Sequence, residues 1–308
     1  VAETRISIVQ RLADLAFAAP DAPAPAEHLP SGRELRRYAV AGTLAALPAM
    51  ALACYWWGVR PLAVFGVAFA AGRLAELAVA RVRGKRSRGG ALTVAVFLAL
   101  VLPVDVPLWL VLATAAFGVF FGKEVFGGTG HNFVNPVLLG QAFFTVSYPT
   151  LADGPSFASV GGATMARLLD LRAPAGVLAA GAILLAGIVL LLTRAVDWRT
   201  VTGIAFAAVA GLLILRGLDA GALPRFDGFV LMGGFLFGAF VLAGDPATSP
   251  GTRAGRWLYG LLIGLLAVIV CGFTANPEFM MYAVLLGNVV APTLDAAVLA
   301  ARGQGSTA

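Results

Sequence analysis

Between two stretches apolar enough to lie in lipid, the chain reads Gly122-Lys123-Glu124-Val125-Phe126-Gly127-Gly128-Thr129-Gly130-His131-Asn132-Phe133-Val134-Asn135-Pro136, a polar, glycine-rich break. Hydrocarbon cannot hydrogen-bond the N–H and C=O groups of backbone that leaves a helix. Such backbone has to be buried in protein or line a cavity. The break therefore marks a working site inside a membrane-embedded bundle.

Composition supports that setting, because 59% of residues are hydrophobic and only 12% charged, outside the range of soluble domains. The net charge of +6 comes in short clusters beside apolar runs. That is the pattern that orients membrane proteins, and it excludes nucleic acid as a partner. Cys54 and Cys271 fall inside apolar runs, without the CxxC spacing of a metal or redox pair, and read as packing residues. From Arg5 to Phe17, helical spacing of Ile6, Val9, Leu12, Leu15 and Ala16 predicts a short amphipathic helix, followed by a Pro/Ala linker to Pro30. Asp14 interrupts its apolar face, so it does not read as a secretory signal.

Apolar runs predict about ten transmembrane helices, at 38–59, 61–80, 91–102, 108–122, 135–148, 174–193, 200–215, 229–243, 257–273 and 278–300. Several fall short of the roughly 20 residues that cross a bilayer core, as expected where helices break at a central site. Arg33, Arg36 and Arg37, then Arg81 to Arg88, then Lys123, Arg194, Arg199, Arg253, Arg256 and Arg302 recur at alternate ends of the spans, which puts both termini in the cytoplasm. The division is a cytoplasmic tail 1–32, five helices in 33–148, a periplasmic loop 149–173, five helices in 174–302 and a cytoplasmic tail 303–308. With five spans on each side of the loop, the halves enter the membrane with opposite polarity, as an inverted repeat does. Paired interruptions agree: Pro103 to Pro107 with Asp245 to Pro250, and Asn135-Pro136 with Asn288 and Pro292. Such pairs point to a site at the repeat interface.

At Gly122 to Pro136 the sequence resembles the NqrB/RnfD family, the membrane proteins NqrB of the bacterial sodium-translocating NADH:quinone oxidoreductase and RnfD of the related Rnf complex. The likeness continues through Tyr148-Pro149, Gly162-Ala163-Thr164, Phe235 to Gly238 with Asp245-Pro246, Gly255 to Leu265 and Asn288 to Asp295, covering most of the chain from about Tyr38. The resemblance implies an all-α integral membrane protein of ten helices in two inverted five-helix repeats, similar to the urea-channel fold. It also implies FMN joined through a phosphoester to a periplasmic threonine, here Thr164, and riboflavin held in the same polypeptide. Three positions depart from the family pattern. Ala158 stands where an aspartate usually precedes the threonine by six residues, and Gly161 stands where the family has serine. Only Met165 to Ala173 separate Thr164 from the next helix, and His131 replaces an arginine.

Each candidate residue has two readings. Thr164 is either the flavin acceptor or an ordinary loop threonine. Gly127, Gly128 and Gly130 permit positive φ and close backbone approach to an isoalloxazine ring, and Asn132 and Asn135 carry amides that match the polar edge of a flavin; otherwise the block is a helix break that satisfies its own backbone. Glu76, Asp295 and Asp245 are candidates for the cation path, since intramembrane carboxylates are costly and oxygen suits sodium. Their plainer roles are an i,i+3 ion pair with Arg73, a snorkelling residue and a helix cap, respectively. On the path reading, Glu76→Gln should weaken the cation dependence and leave the fold intact. Phe143, Phe144, Phe235, Phe237 and Phe240 are expected near the repeat interface, mostly as core.

These expectations add up to a flavin-carrying component of a multi-pass complex in the bacterial inner membrane. It would take electrons from a cytoplasmic dehydrogenase and pass them toward quinone or another acceptor, beside other subunits of an Nqr- or Rnf-like assembly. The rivals are a small-solute channel or transporter of the same fold without flavin, and a purely structural anchor.

Overall fold

The structure is a computed structural model that describes residues 30–84, 89–152, 174–218, 229–230, 234–274 and 278–305, all in helices, turns and loops with no strand among them. Thr164, most of the loop at 149–173 and the amphipathic segment at 5–17 lie outside the described residues.

The helices that build the bundle are, in order, α1 (Gly32–Trp57), α2 (Arg60–Val82), α3 (Ala91–Val101), α4 (Leu108–Val119), α5 (Pro136–Ser147), α6 (Pro174–Leu192), α7 (Trp198–Gly217), α8 (Phe235–Phe237), α9 (Arg253–Thr274) and α10 (Phe279–Gly305), with a single further turn at Pro149–Ala152 after α5. Five of them, α1, α2, α7, α9 and α10, are long and apolar enough to cross a membrane. Their outward faces carry exposed large apolar side chains, such as Leu44, Leu74, Phe206, Leu213 and Leu286. A water-soluble bundle would hide that much apolar surface, so lipid is the solvent these faces match.

Local chemistry sets the boundaries. Ser31 and Glu34 form a reciprocal capping box at α1, with Glu34 N donating to Ser31 Oγ at 3.2 Å and Ser31 N to Glu34 Oε2 at 2.9 Å. Asn135 caps α5, its Oδ1 accepting from Val137 N at 2.9 Å, with Pro136 in the first turn. Asp197 caps α7 through Arg199 N at 2.8 Å. Two helices end in π turns, α4 at Phe120–Glu124 and α8 at Gly238–Leu242. One extra residue per turn redirects the chain there, a device common at functional sites.

The short helix α3 occupies the centre. From Thr93 to Val101 every residue is buried, and a helix apolar on all sides belongs inside a bundle. Its 11 residues rise about 16 Å, half a bilayer core. Phe97 meets Tyr38 of α1 and Phe237 of α8 edge to face, at 6.3 and 5.8 Å between ring centres.

Around it, α2 packs on α3 and α4, α4 on α5, α7 on α9, α9 on α10, and α1 on α6. Small residues let the backbones meet: Gly118 of α4 lies against Gly140 and the Pro136 carbonyl of α5, and Gly260 and Gly264 of α9 lie against the Thr200 and Ile204 carbonyls of α7. A Cβ on Gly260 would occupy the place of the Thr200 carbonyl oxygen. Gly260→Val is expected to destabilise the protein by about 2 kcal/mol, within the range for overpacking, whereas Val at the open position Gly181 should be close to neutral; thermal melting in detergent compares the two.

Two interruptions differ from expectation. Pro292 sits inside an unbroken α10, where it only removes the N–H that would have met the Asn288 carbonyl. The break at Pro103 to Pro107 is stapled by Arg60, which donates to the Val104 and Val106 carbonyls at 3.1 and 2.7 Å. Of the five phenylalanines, Phe144, Phe235 and Phe237 are core, Phe143 stacks on Phe117 of α4, and Phe240 presses on Gly187 of α6.

Candidate functional site

The glycine-rich break begins where α4 unwinds, and unwinding turns Lys123 inward. The residue is 1% exposed, among the most deeply buried of the large residues. Lys123 Nζ donates a short hydrogen bond to Glu76 Oε1 and another to the Gly89 carbonyl at 2.8 Å, and lies 3.5 Å from Glu124 Oε1. The second Glu76 oxygen accepts from Arg73 at 2.8 Å. Glu76 itself is fully buried. Both the path reading and the ion-pair reading of Glu76 thus meet a partner that the sequence does not reveal. As a basic residue at a span boundary Lys123 reads as an orienting charge, and the structure corrects this: it is a buried counter-ion.

Beyond the π turn the chain closes on itself. Gly128 N donates to the Lys123 carbonyl at 3.0 Å, Gly127 N to the Glu124 carbonyl at 3.2 Å and His131 N to the Gly128 carbonyl at 3.0 Å. Gly127, Gly128 and Gly130 have φ of +127°, +92° and +96°, a region that suits glycine alone. A Cβ on Gly130 would stand 2.7 Å from Leu35, and one on Gly128 would face the Glu124 carboxylate at 3.8 Å. The amides of Gly127 and Gly128 are therefore spent on the block's own carbonyls, and Gly128→Val would strain the backbone with or without a ligand. Thr129 Oγ1 donates to the Gly89 carbonyl and joins the block to the start of α3.

Asn135 connects the halves. While its Oδ1 caps α5, its Nδ2 donates to Asp245 Oδ2 at 3.3 Å and to the Leu242 carbonyl at 3.5 Å. Asp245 Oδ1 accepts from Ala247 N at 2.9 Å, and its carbonyl takes Thr248 N and Ser249 N, so the residue also builds the turn after α8. The two breaks are thereby tied to each other in the core. Tyr38 and Tyr259 lie within electrostatic reach of Asp245; the Tyr38 hydroxyl donates to the Val241 carbonyl at 2.8 Å and the Tyr259 hydroxyl to Asn288 Oδ1 at 2.6 Å. Three residues along the chain from each member of this link, Asn132 Oδ1 and Thr248 Oγ1 are buried with no hydrogen-bond partner among the described residues, as are Asn288 Nδ2 and Thr114 Oγ1. Leaving such atoms unmet costs on the order of 1 to 3 kcal/mol each.

Asp295 stands elsewhere. At 2% exposure it accepts from Gly251 N at 2.6 Å, Thr252 N at 3.0 Å and Thr252 Oγ1 at 2.5 Å, clasping the loop before α9. It is no snorkelling residue. Glu76, Asp245 and Asp295 consequently occupy three separate surroundings, and no group of three metal-ligating side chains occurs among the described residues. Sequence alone marks Thr248 only as part of the polar cluster after Asp245 and does not single out Tyr38, Tyr259 or Lys123 as site residues; a polar residue inside or beside an apolar run is the one signal each of these three gives.

The whole chain was compared with known proteins. A family profile described as the NQR2, RnfD, RnfE family matches residues 23–302. The B subunit of the Na(+)-translocating NADH-quinone reductase of Azotobacter vinelandii (strain DJ) is 36% identical over 299 residues, covering 86% of this chain and 74% of the relative. Proteins of the same description from Ectopseudomonas mendocina (strain ymp) and Pseudomonas aeruginosa (strain LESB58) are 34% and 36% identical over 271 residues, covering 78% of this chain and 67% of each relative. A family match over residues 23–302, with relatives at 34 to 36% identity over most of their length, settles the family: the chain belongs to the NQR2, RnfD, RnfE family.

Proposed function

We propose that the chain is a flavin-carrying membrane component of an ion-translocating electron-transfer complex, taking electrons from a cytoplasmic dehydrogenase partner and passing them toward quinone or another acceptor. The observation that carries this reading is the Asn135–Asp245 link between the two helix breaks, with Asn132 Oδ1 and Thr248 Oγ1, three residues along the chain from its two members, unpartnered among the described residues. The pyrimidine edge of a flavin presents an N–H donor between carbonyl acceptors. An amide oxygen and a hydroxyl beside a second amide complement that edge. Asn132, Asn135 and Asp245 would hold a noncovalent riboflavin, while Gly127, Gly128 and Gly130 fold the break so that Asn132 reaches it. When bound, the flavin supplies the electron-carrying chemistry, and the chain supplies binding, orientation and exclusion of water.

Two inverted five-helix halves, about ten spans in all, belong to the same proposal. In support, α2 packs on α4 as α7 packs on α9, α4 on α5 as α9 on α10, and α1 meets α6. In this arrangement both termini face the cytoplasm of a bacterial inner-membrane protein and the loop at 149–173 faces the periplasm, with Thr164 there as the acceptor of covalent FMN. Glu76, Asp245 and Asp295 are the carboxylates proposed to serve ion movement, Glu76 by exchanging Lys123 for a cation. Other subunits of the complex cover the flanks.

The test uses the full-length protein, co-expressed with a flavin transferase and purified. Noncovalent flavin released by denaturation is expected from the unaltered protein. Asn132→Ala should weaken retention about five-fold, the worth of one hydrogen bond of about 1 kcal/mol, without loss of fold. On a denaturing gel, a fluorescent band abolished by Thr164→Ala is expected for the covalent FMN. Flavin-free protein of normal stability would instead favour a small-solute channel or transporter on this fold.

A further inference from the structure

A cavity of about 430 Å³ opens between the start of α1, the turn from α6 to α7, the chain after α8 and the start of α9. That volume lies in the range of small-ligand sites. Among the described residues, Arg37, Arg194, Arg199 and Arg256 line it against Glu34 and Asp197, four cations to two anions.

Both anions are already committed. Glu34 belongs to the capping box of α1. Asp197 caps α7 with one oxygen, and the other accepts from Arg256 at 2.6 Å and Arg199 at 3.3 Å, an arrangement that fixes both guanidinium groups at the cavity wall. Arg37 is only 4% exposed. Arg194 is exposed and has no ion-pair partner among the described residues. It is also the one residue other than glycine with positive φ among them, at 53°, held there by bonds from Arg194 N to the Leu191 carbonyl and Ala195 N to the Leu190 carbonyl at the end of α6. The positive end of the 20-residue α7 adds to the same field.

A cation would be repelled from such a wall, whereas an anion would give Arg194 the counter-charge it lacks among the described residues. A phosphate ester, carrying about −1.5 to −2 as a monoester and one negative charge as a diester, offers the acceptor oxygens that guanidinium forks match. The cavity also lies where basic helix ends adjoin apolar spans, the level at which lipid phosphates are concentrated. We propose that this cavity binds a phosphate group, belonging either to an anionic phospholipid headgroup or to a soluble phosphate ester, with Arg194 and Arg199 as the contacting groups and Arg37 and Arg256 in the wall. The assignment does not rest on the flavin reading.

The experiment takes the purified, delipidated protein in its complex and measures two probes. One is dioleoylphosphatidylglycerol, followed by native mass spectrometry against a neutral glycolipid with the same chains. The other is glycerol 3-phosphate, followed by calorimetric titration. Expected is preferential retention of the phosphatidylglycerol or saturable binding of glycerol 3-phosphate, the responding probe identifying the source, with Arg194→Ala weakening it about ten-fold and Arg194→Lys retaining part. Because Arg194 supports no other side chain among the described residues, Arg194→Ala should melt as the unaltered protein does. Equal retention of both lipids together with no saturable glycerol 3-phosphate binding would overturn the proposal. So would phosphate binding that survives both Arg194→Ala and Arg199→Ala.

Discussion

Glu76→Gln is expected to lower the apparent melting temperature of the detergent-solubilised protein on the order of 10 °C, which corresponds to a loss of about 3 to 5 kcal/mol. Glu76 is fully buried, and its carboxylate is shared between the buried Lys123 and the partly exposed Arg73. The amide keeps the shape but takes the nearest counter-charge from Lys123 and leaves it the longer contact with Glu124 at 3.5 Å, in a medium that solvates it poorly, so the substitution is not neutral to the fold as the path reading alone expects. Lys123→Met should also destabilise, by less, because Glu76 keeps Arg73 as a counter-ion. Joining the two changes should recover most of the loss, because the pair then vanishes as a unit; that non-additivity in a double-mutant cycle is the signature of a coupled pair. Additive losses would show that the two side chains act independently. Measured beside stability, the cation dependence of activity separates the roles: the Glu76→Gln, Lys123→Met protein should melt normally and still respond weakly to the cation if Glu76 serves ion movement.

Asp295→Ala is the second large effect, at about 3 kcal/mol. Among the described residues three donors converge on this carboxylate, two of them the backbone N–H groups of Gly251 and Thr252, which lose it as their acceptor. Thr252 in turn receives Gly255 N through its hydroxyl at 3.0 Å, so loosening spreads into the first turn of α9. Asp295→Asn should recover only part, since one of its two polar atoms becomes a donor facing donors. Limited proteolysis of the loop from Pro250 to Gly255 checks this, with faster cleavage expected in Asp295→Ala. Unchanged cleavage and melting would show that the clasp is dispensable.

Helix positions are legible in the sequence because lipid demands long apolar runs and polar interruptions are conspicuous against them. All ten runs contain a described helix, even the 3-residue α8 with its π turn. What stays hidden is tertiary. Lys123 looks like a solvated charge at a span end because that rule counts every basic residue near a boundary, and only the π turn at Phe120–Glu124 reveals that it faces Glu76. Pro292 looks like a break, yet a helix that loses a single N–H donor can continue when its neighbours hold it. The candidate site is legible as residue types, Asn132, Asn135 and Asp245 among them. Their joining needs the fold, since nothing local links residues 110 positions apart.

The most direct test of the central proposal is the visible absorption of the purified, assembled complex before and after NADH is added, with this chain's flavin distinguished by comparing Asn132→Ala. The expected result is flavin absorption that bleaches on NADH addition and returns with quinone, with the part of the signal due to noncovalent flavin reduced in Asn132→Ala. Flavin bands identical in the two proteins, or bands that NADH leaves unbleached in a complete complex, would contradict an electron-carrying role for this chain.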